Sequence, residues 1–257
     1  MEKFAKKIHF LNNISDVISD KELIKEMSEN IRRGDAYVLK KVIDTNTIND
    51  IIEYLENIGR NSIPNYQKIE YGCSNFHRIN KRDERSHVKG CFHQFVFFPW
   101  NQDFFDFFEL TKTAYKLKNL LSGLPENKFL GKKPEDGCTS RIAFQFYPSS
   151  QGGLNKHRDP VDYHQLSVPI LIMSKKGKDF HEGGLFIEKA SKEKIYLDDI
   201  TEPGDVIYFN AEVPHGVDII DPQKIYKWTD FNGRWMLLLA INKLFDNESI
   251  ADAQELE

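Results

Sequence analysis

Between residues 138 and 241 short apolar runs recur, each ended by a turn. They fall at 138–147, 166–173, 185–188, 194–197, 206–209 and 234–241, with Gly183-Gly184 and Pro203-Gly204 among the punctuation. Runs this short are strands rather than helices, and so regular a succession of strands and turns predicts an antiparallel barrel or jelly roll. Side chains alternate across a strand. In the first run Arg141, Ala143, Gln145 and Tyr147 therefore share one face, and Ile142, Phe144 and Phe146 the other. A polar face backed by an aromatic one predicts a strand that lines a wet pocket.

The same stretch holds a metal-binding pattern. His157 and Asp159 are two apart, so a strand places an imidazole and a carboxylate on one side, and His215 follows the apolar run at 206–209. Two neutral imidazoles and one carboxylate on one face of an ion leave the opposite face open, the ligand set of non-haem Fe(II) oxygenases. Arg234 opens the run RWMLLLAI, where an inward guanidinium suits a bidentate carboxylate clamp.

Tyr147, His157-x-Asp159, Pro203-Gly204-Asp205, His215-Gly216-Val217 and Arg234, in that order, resemble the Fe(II)/2-oxoglutarate-dependent dioxygenases over roughly residues 140–243. The resemblance implies a double-stranded β-helix and an oxidoreductase. His157, Asp159 and His215 would hold Fe(II), and Arg234 the distal carboxylate of the cosubstrate 2-oxoglutarate, with O2 as oxidant. Tyr147 and Gln145 would help hold the cosubstrate. Many members carry Ser or Thr two positions after the arginine, where this chain has Met236. The clamp then needs another hydroxyl, and Tyr147 and Tyr208 are the candidates. Because Asp159 keeps the carboxylate that halogenating relatives lack, the resemblance favours hydroxylation or desaturation.

Upstream, the chain reads as support and lid. Ser19 to Glu22 has the form of a capping box, Leu23, Ile24, Met27 and Ile31 keep helical spacing and Gly34 is a natural stop, which predicts a helix over 20–33. A strand follows at 36–42, then a second amphipathic helix at 48–58 stopped by Gly59, and a long central helix is expected at 103–121. We expect an α+β, mainly β fold in one domain over 1–257, with helical support in 1–65 and the jelly-roll core and lid loop in 66–245. Within the loop, Arg78, Arg82 and Arg85 suggest recognition of an anionic group. In the following strand-like stretch either His93 or Gln94 faces the pocket, and Arg141 joins them as a candidate substrate contact. His164 and His181 read as turn or surface positions.

The expected reaction is hydroxylation of an unactivated C–H in a small polar or anionic molecule, with release of succinate and CO2. A peptide or protein hydroxylase and a non-catalytic, cupin-like metal-binding jelly roll are the alternatives, and the notion of a carboxylate clamp at Arg234 argues against the last. A net charge of -4 gives no basic field for nucleic acid. No apolar run is long enough for a membrane span, and the N-terminus has no secretory pattern. Cys73, Cys91 and Cys138 have no paired spacing and read as reduced thiols in a soluble, cytoplasmic protein. Nothing in the pattern sets an oligomeric state.

Overall fold

The computed structural model describes residues 2–162 and 164–257. In chain order the elements are β1 (Ile8–Leu11), α1 (Ile14–Ser19), α2 (Lys21–Arg33), β2 (Ala36–Leu39), α3 (Thr45–Asn61), β3 (Phe76–Lys81) and β4 (Gly90–Phe97). Next come α4 (Phe107–Leu110), α5 (Lys112–Leu121), β5 (Cys138–Pro148), β6 (Gly153–Arg158), β7 (Ile170–Ile172), β8 (Gly184–Glu188) and β9 (Lys194–Tyr196). A 3-10 turn at Leu197–Asp199 precedes β10 (Val206–Tyr208), β11 (His215–Asp218), β12 (Gly233–Lys243) and β13 (Gln254–Glu255).

Strands β5 to β12 alternate between two layers, except that β8 and β9 form a hairpin within one of them. One runs β10-β7-β12-β5 and the other β6-β11-β8-β9, with β4 pairing both β5 and β6 to close the curl on one side. This is the jelly roll that the recurrent short runs predict. Beyond β10 the first layer is extended by β2 and then β1, so the N-terminal region supplies strands to the sheet as well as helices.

Local chemistry sets the supporting helices. Asp20, rather than Ser19, caps α2 by accepting the Leu23 N–H, because Ser19 already ends α1. Gly34 closes α2 at φ 107, a left-handed conformation that costs glycine little. Gly59 does not stop α3, which runs on to Asn61; a Cβ there would come within 2.3 Å of the Phe231 ring, so its role is close packing. The expected helix at 103–121 starts later and is broken at Thr111. Asp103 instead turns the chain, accepting the Phe105 and Phe107 N–H groups.

Met27, Ile31, Ile51, Leu55, Tyr115 and Leu117 bury the helices against the outward face of the first layer, where Phe144, Phe146 and Leu237 lie. A second apolar cluster, including Ile170, Ile172, Leu185, Ile187, Val217 and Met236, fills one end of the space between the layers. The other end stays hollow. Among the described residues no helix is long and apolar enough to cross a membrane.

Candidate metal centre

His157 is the next-to-last residue of β6 and His215 begins β11, and the two are directly opposite in an antiparallel pair. Their rings are 4.1 Å apart between centroids. Asp159 lies just past β6, held by its own N–H donating to the Ala211 carbonyl at 2.9 Å. One Asp159 oxygen is 3.8 Å from His157 Nε2 and the other 3.5 Å from His215 Nε2. A ligand atom from each of the three falls within 4.8 Å of the others.

Both rings are oriented the same way. His157 Nδ1 donates to the Asn155 carbonyl at 2.9 Å and His215 Nδ1 to the Val213 carbonyl at 2.8 Å, a tautomer assigned from the acceptor character of those oxygens. Each Nε2 lone pair is thereby left facing Asp159, the arrangement that metal-ligating histidines require. Burial, with His215 beside it, pushes His157 down to about 4, so its ring is neutral at neutral pH. Burial works to raise Asp159, but the His215 and His157 rings and Arg141 outweigh it and hold the carboxyl below its usual range. The donor set fits a divalent first-row ion, Fe(II) included.

A cavity of about 540 Å³ opens beside the three side chains. The polar face of β5 lines it as expected through Arg141, Gln145 and Tyr147, while Ile142, Phe144 and Phe146 pack into the core. Gln94 also faces the cavity. His93 does not, which corrects its candidacy. It points to the opposite side of β4, where Nδ1 meets His77 Nε2 at 2.9 Å and Nε2 meets the Trp228 carbonyl at 3.0 Å. Tyr208 is likewise corrected: its hydroxyl donates to the Ala114 carbonyl at 3.0 Å, on the helix side of the sheet.

The expected lid loop is partly strand. Residues 76–81 pair with β4, placing Arg78 opposite Gln94 on the cavity face. Arg85 reaches the rim, bonded to Asp83 at 2.6 and 2.9 Å and lying over the Tyr66 ring. Arg82 turns the chain at φ 55 and lines a separate surface groove, so it does not share the cavity. His164, read from sequence as a turn or surface position, is 2% exposed and lines the cavity with Gln165. Its spacing from His157 fits no strand period, so periodicity carried no signal for it.

Arg234 departs from the expected clamp. It points inward on β12, opposite Tyr147, and is fully buried. Its Nε and Nη2 are held by Asp198 at 2.8 and 2.9 Å. Asp198 also accepts the Leu185 N–H at 2.6 Å. Only Nη1 has no partner among the described residues. Nearby, the Tyr147 hydroxyl donates to Gln145 Oε1 at 2.6 Å.

No protein-family profile matches the sequence, and no curated protein does. Solved structures do match. A Pseudomonas putida prolyl-4-hydroxylase is 11% identical with a TM-score of 0.55, over 86% of this chain and 98% of that one. JOX2, solved in complex with 2OG, Fe and JA, is 12% identical with a TM-score of 0.53, over 100% of this chain and 79% of that one. The chain shares the fold of these two proteins. AviO1 from Streptomyces viridochromogenes Tue57 shares it at 12% identity and a TM-score of 0.51, over 89% of this chain and 97% of that one. At such identities the likeness carries the fold alone, and the argument for chemistry rests on the three converging side chains.

Proposed function

We propose that the chain is an Fe(II)- and 2-oxoglutarate-dependent oxygenase that hydroxylates a small polar or anionic molecule. The observation that carries this reading is the convergence of His157 Nε2, Asp159 and His215 Nε2 on one cavity wall. Bound together, iron, 2-oxoglutarate and O2 supply an oxidant for an unactivated C–H bond, leaving succinate and CO2. The chain's own residues do the rest. Asn155 and Val213 carbonyls hold the two imidazoles so that their Nε2 atoms stay unprotonated. Arg234 Nη1, fixed in place by Asp198, is the donor left for one oxygen of the cosubstrate's distal carboxylate, with Tyr147 and Gln145 on the intervening wall. Phe92, Ile170, Leu185, Val217 and Met236 keep that end of the cavity apolar and exclude water.

Cavity volume supports a small molecule, since it lies within the usual range for such ligands. Segments 66–69, 85–88 and 250–253 also line the cavity, which leaves less room for a peptide than an open groove would. The ion pair with Asp198 gives Arg234 a structural reason to exist, so the arginine alone no longer argues against a non-catalytic jelly roll. Anaerobic titration of the Fe(II)-loaded protein with 2-oxoglutarate decides between them. A weak visible charge-transfer band that saturates, and is absent in His157→Ala, is the expected result; no band with iron loaded overturns the reading.

A further inference from the structure

Five cationic side chains, Lys68, Arg78, Arg85, Arg141 and Lys243, line the cavity against two acidic ones, Asp159 and Asp252. Four of the five have a charged or aromatic partner. Arg85 is bound to Asp83, Lys243 lies 2.9 Å from Asp252, Lys68 sits 3.6 Å from the centroid of the Phe245 ring and Arg78 lies 5.8 Å from that of Tyr66. Arg78 and Arg141 differ from the others in their hydrogen bonding. The Nε of each is buried with no hydrogen-bond partner among the described residues. Neither forms an ion pair there, and burial disfavours each guanidinium, with the charge of Arg85 adding to it at Arg78 and the charge of Arg78 adding to it at Arg141. Gln94 stands directly across the ladder from both Arg78 and Gln145, is 2% exposed, and leaves its Oε1 unpaired as well. Buried donors left unpaired on two half-buried cations are costly unless a ligand answers them.

We propose that Arg78 and Arg141 form a subsite for a carboxylate of the substrate, with Gln94 accepting an N–H or O–H from the same molecule. This rests on the oxygenase reading for the word substrate, but the subsite is defined by the chain alone. A divalent ion, Asp159, Arg78 and Arg141 against a dianionic cosubstrate leave a net positive charge, and Lys68, whose partner is a ring, adds to it, so the site suits an anion. Planar guanidinium forks match a carboxylate in geometry as well. The substrate class is therefore a small carboxylic acid bearing a hydrogen-bond donor, with the carbon to be oxidised on the metal side of its carboxylate.

The test uses the Mn(II)-loaded protein saturated with 2-oxoglutarate under nitrogen, with propionate and propionamide as probes. Relaxation of the probe's proton resonances by Mn(II) reports binding near the metal. Saturable relaxation of propionate and none of propionamide is expected. The propionate Kd should rise at least tenfold in both Arg78→Gln and Arg141→Gln while the 2-oxoglutarate Kd stays within twofold. Thermal unfolding of the ligand-free variants serves as the folding control. Three results would overturn the proposal: no saturable propionate relaxation; relaxation unchanged in the variants, which puts the carboxylate on the metal itself; or a tenfold loss of 2-oxoglutarate affinity in Arg141→Gln, which assigns the guanidinium to the cosubstrate. Failure of the wild type to bind 2-oxoglutarate would instead sink the oxygenase reading. The propionate titration on the Mn(II) protein would then judge the subsite by itself.

Discussion

Arg234 and Arg141 lie on adjacent strands and point into the same interior, yet their surroundings are opposite. Arg234 is locked side-on by Asp198, which also ties down the start of β8 through the Leu185 N–H. Arg141 faces the cavity, and burial with Arg78 nearby pushes it down to about 10. A buried cation with a bidentate partner is part of the scaffold. A half-buried one that faces a cavity without an ion-pair partner is a place for a ligand. The difference separates residues that build the jelly roll from residues that give it a use.

The largest test of that contrast is Arg234→Met, which leaves Asp198 charged and buried. Breaking such a pair costs about 3–5 kcal/mol, and chemical denaturation should show a loss of that size. Acid should weaken the aromatic side of β4 next. Burial lowers His77 to about 4 and His93 to about 3. Both pKa values lie below that of the unfolded chain, so their contribution is complete above about pH 6.5 and fades as pH falls. The slope of stability against pH should reach roughly 1.4 kcal/mol per pH unit for each histidine, and a His93→Phe variant should lose part of it. Tyr208→Phe removes the bond to the Ala114 carbonyl and should cost about 1 kcal/mol without changing 2-oxoglutarate affinity. Arg141→Gln is expected to change ligand-free stability by less than about 1 kcal/mol, or to raise it, because it deletes a half-buried charge that has no ion-pair partner. Arg82→Ala, on the outer groove, should stay within about 0.5 kcal/mol and leave ligand binding alone.

The sequence made much of this legible where a period was at work. Alternation along β5 separated Arg141, Gln145 and Tyr147 from Ile142, Phe144 and Phe146, and the recurrent runs pointed to a jelly roll. His157, Asp159 and His215 stood out because strand spacing and chain order brought them together. What periodicity could not carry was pairing between distant segments. Asp198 sits in a single turn of 3-10 helix, and nothing near it announces a partner on β12. His93 and Gln94 both fitted a buried strand, and only the side on which Trp228 and His77 pack decides which faces the cavity. Tyr208 was misjudged for the same reason, since its neighbour is the carbonyl end of a residue in α5. His164 and Gln165 enter the cavity from a loop, where no regular spacing exists to reveal them.

A crystal structure of the protein with Mn(II) and 2-oxoglutarate tests the central claim most directly. We predict one ion bound by His157 Nε2, Asp159 and His215 Nε2, with the distal carboxylate of 2-oxoglutarate within hydrogen-bond distance of Arg234 Nη1 and with Arg78 and Arg141 still unpaired. An ion held elsewhere, or a cosubstrate carboxylate seated on Arg141 while Arg234 keeps only Asp198, would contradict the division between scaffold and site.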